Sequence, residues 1–144
     1  MARMTWNLKS GMRSKLEERV DAQLKQQGIE YEYEPKDGKL AYRVPASDHK
    51  YLPDFVITTR SGKRIILEPK GIWDLADRRK HLLLRQQLPE NDIRFVFQNA
   101  KQKIRKGSKT TYASICEGLG RPPFKGVTWQ YSDKGIIPQE WLDE

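Results

Sequence analysis

The chain has 144 residues, with 27 Lys plus Arg against 19 Asp plus Glu, a formal net charge of +8 and a pI near 9.6. That length fits one domain able to bury its own core, and the basic balance suggests a polyanionic partner such as nucleic acid. A single cysteine, Cys116, excludes an intrachain disulfide, and with only His49 and His81 beside it no zinc cluster is expected. No apolar run approaches membrane-spanning length and the first residues lack a signal-peptide core, so a cytoplasmic protein with no membrane contact is expected.

Residues 1–13 read as a basic arm carrying Arg3, Lys9 and Arg13, ahead of a single domain over 14–144. Leu16, Val20 and Leu24 recur every fourth position, as on an amphipathic helix, with Ser14 placed to cap it and Gly28 to end it. Extended stretches are predicted over 31–34 and 39–44, separated by a turn at Lys36-Asp37-Gly38. Residues 54–59 read as a strand, 60–63 as its turn and 64–70 as the returning strand. Asp74 can cap a second helix running to about Leu88, with Leu75, Leu82 and Leu83 on its apolar side and Pro89 as its stop. Residues 93–97 read as a buried strand and 101–109 as a basic loop. Thr110 or Thr111 can cap a third helix holding Tyr112, Ile115 and a core Cys116, and the tail carries Trp129, Trp141 and a short helix begun by Pro138. This order predicts an α/β fold with a central mixed sheet flanked by helices.

Pro53-Asp54 followed by Glu68-Pro69-Lys70 matches the PD…(D/E)xK arrangement of restriction-endonuclease-like nucleases. Two residues apart on a strand, Glu68 and Lys70 leave the same face about 6.6 Å apart. A hairpin can bring Asp54 alongside Glu68, and two converging carboxylates suit a hard divalent cation. Lys70 can orient or deprotonate a water, or stabilise developing charge. Charged residues emerging at the end of the apolar run 65–67 are costly unless paired or liganded. A solvated sheet face is the bland alternative. Glu17 also has two readings: Ser14-Lys15-Leu16-Glu17 is a capping-box string, and its carboxylate could equally serve a site.

The strings Arg13-Ser14-x-Leu16-Glu17, Val44-Pro45-Ala46-Ser47-x-His49-x-Tyr51-x-Pro53-Asp54-Phe55, Glu68-x-Lys70-Gly71, Asp77-Arg78-x-Lys80-His81-Leu82-Leu83, Lys106-Gly107-Ser108 and Ile137-Pro138-x-Glu140-Trp141 run in one order along nearly the whole chain. Together they resemble the bacteriophage endonuclease I family of Holliday-junction resolvases. The resemblance implies a restriction-endonuclease-like fold in an intertwined, domain-swapped homodimer, with residues 14–47 exchanged or bridging between protomers. It implies catalysis by Glu17, Asp54, Glu68 and Lys70. Mg²⁺ or Mn²⁺, two per active site, would be held by Asp54, Glu68, the Pro69 carbonyl and Glu17. It implies cleavage of branched DNA to 5′-phosphate products, with no small-molecule cofactor. Alternatives are another nuclease of the same superfamily, such as a mismatch nickase or restriction-type enzyme, or a branched-DNA-binding protein with a dead site.

Departures from the family pattern are the proline at 69, expected at a strand edge or bulge, and a longer hairpin between Asp54 and Glu68. By the same comparison, the family's basic extension past the Trp141 helix is expected to be absent. Candidate DNA contacts are Arg13, the helix residues Arg78, Lys80 and His81, and the loop residues Lys101, Lys103, Arg105, Lys106 and Lys109. His49, close to Asp54 in sequence, reads as a loop histidine.

Overall fold

The computed structural model describes residues 14–44 and 47–144; the arm expected over 1–13, Arg13 included, lies outside them. Helix α1 (Lys15–Gln27) is capped by Ser14, whose Oγ accepts from the Glu17 amide, and closes on Gly28 at φ 65°, a left-handed position that suits glycine. Its apolar stripe of Leu16, Val20 and Leu24 is buried, each such side chain contributing about 1.5–3 kcal/mol.

The strands are β1 (Glu30–Tyr33), β2 (Leu40–Val44), β3 (Ser47–Tyr51), β4 (Phe55–Thr58), β5 (Arg64–Lys70), β6 (Ile93–Phe97) and β7 (Tyr131–Ser132). Five of them form a sheet in the order β1-β4-β5-β6-β7. The β1–β4 and β4–β5 pairs are antiparallel, and the β5–β6 and β6–β7 pairs are parallel. The expected mixed sheet is therefore present. β2 and β3 form a separate hairpin, with Val44 opposite Ser47. Sequence reading missed β3 and β7, and β1 pairs with β4 rather than with the stretch beyond the Lys36-Asp37-Gly38 turn.

Helices α2 (Leu75–Gln87), α3 (Tyr112–Cys116) and α4 (Gln139–Asp143) complete the chain. Alternation along β5 assigns the layers. Ile65 and Leu67 pack with α1 residues Val20 and Leu24 and α4 residues Trp141 and Leu142. Ile66 packs with Tyr51 of the hairpin and Leu84 of α2. β6 turns Phe95 and Phe97 to a third cluster with Trp73, Leu82 and the buried thiol of Cys116. On α2 the inward leucines are Leu82 and Leu84, while Leu75 is exposed and Leu83 half-buried. Glu68 and Lys70 continue the Ile66 face, so β5 delivers them to α2.

Pro69 lies on a central strand, yet its missing N–H costs no ladder bond. The Ile66 amide donates to Asp92 O and the Gln98 amide to Lys70 O, so even-numbered residues of β5 bond to β6. Pro69 faces the β4 side, where pairing stops at Phe55 opposite Leu67. The expected edge is thus a local one, beyond the end of β4. No helix among the described residues is long and apolar enough to cross a membrane.

Candidate active site

The antiparallel registers Tyr33 opposite Phe55 and Phe55 opposite Leu67, continued by one residue, set Glu34 and Glu68 on either side of Asp54. The Glu34 amide donates to Asp54 O at 3.0 Å, and the Asp54 amide donates to Glu68 Oε2 at 3.0 Å. Pro53-Asp54 and Glu68-Pro69-Lys70 therefore meet at one end of the sheet, as their spacing predicted.

Glu68 is buried and surrounded by donors. Tyr51 Oη donates to Oε2 at 2.6 Å, and Lys70 Nζ stands 3.3 Å from Oε1. Lys70 Nζ also lies 2.6 Å from Asp77 Oδ2, and Asp77 comes from the first turn of α2. Burial alone would push the Lys70 ammonium down, but the Glu68 and Asp77 carboxylates outweigh it and raise its pKa. Lys70 is thereby kept charged. Burial and the adjacent Glu68 carboxylate push the Tyr51 phenol well above its ordinary value, so it remains a donor.

A second carboxylate group adjoins the first. Glu17, Glu34 and Asp54 each offer a ligand atom, and these atoms lie within 4.8 Å of one another. Glu17 takes part in the α1 cap through its amide, and its carboxylate turns toward Tyr33, Glu34 and Asp54. Its amide takes the Ser14 cap at 3.1 Å, while its Oε2 accepts from Tyr33 Oη at 2.8 Å and its carboxylate joins the acidic group. Glu34 was not found by sequence reasoning. It has φ 44°, a left-handed conformation that a glutamate rarely adopts, where the chain leaves β1. Such local strain costs about 1–3 kcal/mol and persists where the surroundings enforce it. Three carboxylates this close repel one another, and a divalent cation relieves that repulsion.

The whole chain, residues 1–144, matches the model of the family described as phage endonuclease I. The chain belongs to the phage endonuclease I family. It is 44% identical to Endonuclease I of Escherichia phage T7 over 132 residues, covering 92% of this chain and 78% of that protein. It is 46% identical to Endodeoxyribonuclease 1 of Enterobacteria phage T3 over 108 residues, covering 75% of this chain and 67% of that protein.

In this member of the phage endonuclease I family, Glu17, Asp54, Glu68 and Lys70 gather at one site within a single chain. The residues expected to meet DNA are placed less uniformly. Lys101, Lys103, Arg105, Lys106 and Lys109 are exposed on their loop, and Lys80 is half-exposed beside Asp77. His81 and Arg78 depart from the expected charged helix face. His81 is 1% exposed, its ring edge on Tyr51 and Phe95, with Nε2 3.7 Å from both Glu68 Oε1 and Asp77 Oδ1. Burial, then Lys70 and Lys80, hold it neutral. Arg78 is 7% exposed, and its Nε donates to Trp73 O at 3.1 Å. α2 thus turns polar side chains inward, which periodicity of apolar residues does not reveal. Asp77, Tyr51 and Tyr33 were likewise missed, because only the tertiary fold brings them to the site. His49 is exposed, its ring 5.6 Å from that of Tyr42.

Proposed function

We propose that this endonuclease cuts DNA with divalent-metal assistance, resolves four-way junctions and other branched DNA as a homodimer, and leaves 5′-phosphates. The observation that carries the reading is the meeting of Glu17, Glu34 and Asp54 with the Glu68–Lys70 pair at one end of the sheet.

The donor set fits Mg²⁺ or Mn²⁺: carboxylate oxygens, with no thiolate or imidazole among the three clustered ligands. Glu17, Glu34 and Asp54 would hold one ion. Asp54, Glu68 and the Pro69 carbonyl, which points past the end of β4, would hold a second. When bound, the metal supplies Lewis-acid stabilisation of phosphate charge and lowers the pKa of a coordinated water. The chain supplies the rest. Lys70, kept protonated, places positive charge where the pentacovalent phosphate accumulates negative charge. Tyr51 and the Asp54 amide fix the Glu68 carboxylate, and Asp77 fixes Lys70. The neutral His81 ring and the aromatic cluster behind it keep water from the inner side of the site.

Exchange of residues 14–47 fits the same geometry. α1, β1 and β2 all precede the connection at 45–46, so a partner could supply that whole unit together with Glu17 and Glu34. Two sites per dimer would then suit paired cuts across a junction.

The test compares a four-way junction with a linear duplex of the same composition, with Mg²⁺ and with EDTA. Preferential, metal-dependent junction cleavage is expected. Asp54→Ala, Glu68→Ala and Lys70→Ala should each lose orders of magnitude in rate while still binding the junction. Normal cleavage by Glu68→Ala would place the site elsewhere.

A further inference from the structure

Beside the active site, the first turn of α2, the 101–110 loop and the segment 121–124 enclose a cleft of about 210 Å³. Arg79, Arg105 and Arg121 line it and are exposed, Arg78 forms part of its wall, and Ser108 and Thr110 present hydroxyl groups. The Ser108 hydroxyl accepts from the Thr110 amide at 3.1 Å, which fixes the loop's turn. Among the described residues, none of Arg79, Arg105 and Arg121 forms a salt bridge with a carboxylate, whereas Lys70, Lys80 and Arg94 all do. Burial lowers the Arg78 guanidinium; Tyr112 and Asp74 draw it back up, and like-charge repulsion from Arg105 and Arg79 adds to the lowering. Arg105 and Arg79 are therefore near enough to Arg78 to repel it, Arg121 lines the same cleft, and no carboxylate pairs with the three exposed arginines among the described residues. An anion entering the cleft relieves that repulsion and meets planar forks suited to two phosphate oxygens at once.

We propose that this cleft binds a phosphodiester of the DNA strand, adjacent to but distinct from the phosphate being cut. The inference rests on the reading that the protein acts on DNA. Its position follows from α2: Asp77, which holds Lys70, directly precedes Arg78 and Arg79, and consecutive residues on a helix point about 100° apart. The cleft opens on the neighbouring side of the same helical turn. A strand whose scissile phosphate lies against Lys70 can then place a phosphate a few nucleotides away among the arginines. The clamp sets the register of the strand and takes no part in chemistry.

The test uses the full chain carrying Arg79→Gln, Arg105→Gln and Arg121→Gln together. Binding to a four-way junction is measured by fluorescence anisotropy in Ca²⁺ over a range of NaCl, and cleavage at saturating DNA in Mg²⁺. A matched variant, Lys36→Gln with Lys39→Gln and Arg64→Gln, removes the same charge from exposed positions outside the cleft. The cleft variant is expected to bind about tenfold or more weakly, and the slope of log affinity against log salt should fall by about 0.9 for each duplex phosphate that the protein no longer neutralises. Equal slopes in the two triple variants, or a cleft variant that binds as wild type does, would overturn the clamp while leaving nuclease activity intact. Should the triple variant fail to fold, Arg79→Gln and Arg121→Gln singly give the same reading from their slopes. Wild-type protein that cleaves no DNA and binds none would instead overturn the DNA reading, and the clamp with it.

Discussion

Asp77 holds the Lys70 ammonium more closely than Glu68 does, with Oδ2 at 2.6 Å from Nζ against 3.3 Å for Glu68 Oε1. Lys70 thus stands between a strand carboxylate and a helix carboxylate. Asp77→Asn keeps the shape and removes the charge. The lysine then loses its anchor on α2 and can swing toward Glu68. Misplacement of a catalytic group by about 1 Å can cost about 100-fold, so a fall in kcat of about 10- to 100-fold is expected, with KM for the junction little changed. Asp77→Glu should recover part of the loss. Single-turnover kinetics measures this, and a wild-type kcat in Asp77→Asn would detach Asp77 from the lysine's role.

Much of this site could be read from the sequence because its parts are local. Asp54 stands one residue before β4, Glu68 and Lys70 share one face of β5, and the strand Arg64–Lys70 was bounded by an obvious turn and an apolar run. The Ser14 and Asp74 caps were also legible, since capping chemistry is encoded within four residues. Glu34 was not. Its place depends on β1 pairing with β4, some 25 residues away along the chain, and on a backbone angle that no side-chain pattern announces. His81 and Arg78 were misread for a related reason. A charged or titratable residue on a helix is ordinarily solvated, and here the inward face of α2 is polar because Glu68 and Trp73 O lie opposite it.

Glu34 gives the second prediction. If it holds an ion with Glu17 and Asp54, Glu34→Gln removes one charged ligand and keeps the side chain's size. The Mg²⁺ concentration for half-maximal cleavage should rise by about tenfold or more, with activity largely recovered at saturating metal. A titration of cleavage rate against Mg²⁺ reads this directly. An unchanged half-saturation would exclude Glu34 from the ligand set.

The opposite end of the sheet carries a structural ion-pair network with a definite pH dependence. Arg94 is 1% exposed, stacks on Trp141 at 5.3 Å, and pairs with Asp92 at 2.8 Å and Glu144 at 2.5 Å. The Arg94 hydrogen bond draws the Glu144 carboxyl down to about 2. Burial would raise Asp92, but Arg94 and Lys63 draw it below its ordinary value. A carboxyl with a lowered folded-state pKa stabilises the fold above its unfolded value, near 4.5 for Glu144, and loses that contribution as pH falls toward 2. Because Glu144 is partly solvent-exposed, its share is about 1 kcal/mol or less. Glu144→Gln should therefore cost little more than that at pH 7, and the difference from wild type should vanish near pH 2. Urea unfolding across that range would show it, and a pH-independent difference would contradict the linkage.

The last prediction concerns whether one chain or two build each site. α1 buries Val20 and Leu24 against Ile137, Trp141 and Leu142, and β2 pairs antiparallel with β3, Val44 opposite Ser47. Parting β2 from β3 would leave every one of these contacts available between two chains, since α1 and β1 would dock on a partner's β4, β5 and α4 instead of their own. The local interactions are the same in both arrangements, so geometry within one site does not distinguish them, whereas genetics does. Glu17→Ala and Lys70→Ala chains are each inactive alone and are refolded together. With exchange, one site of the mixed dimer collects both lesions and the other collects none, so nicking returns while paired cutting does not. Without exchange, every site keeps one lesion and the mixture stays inactive. Formation of mixed dimers is checked by a size tag on one chain. Mixed dimers that nick no strand would establish that each chain builds its own site.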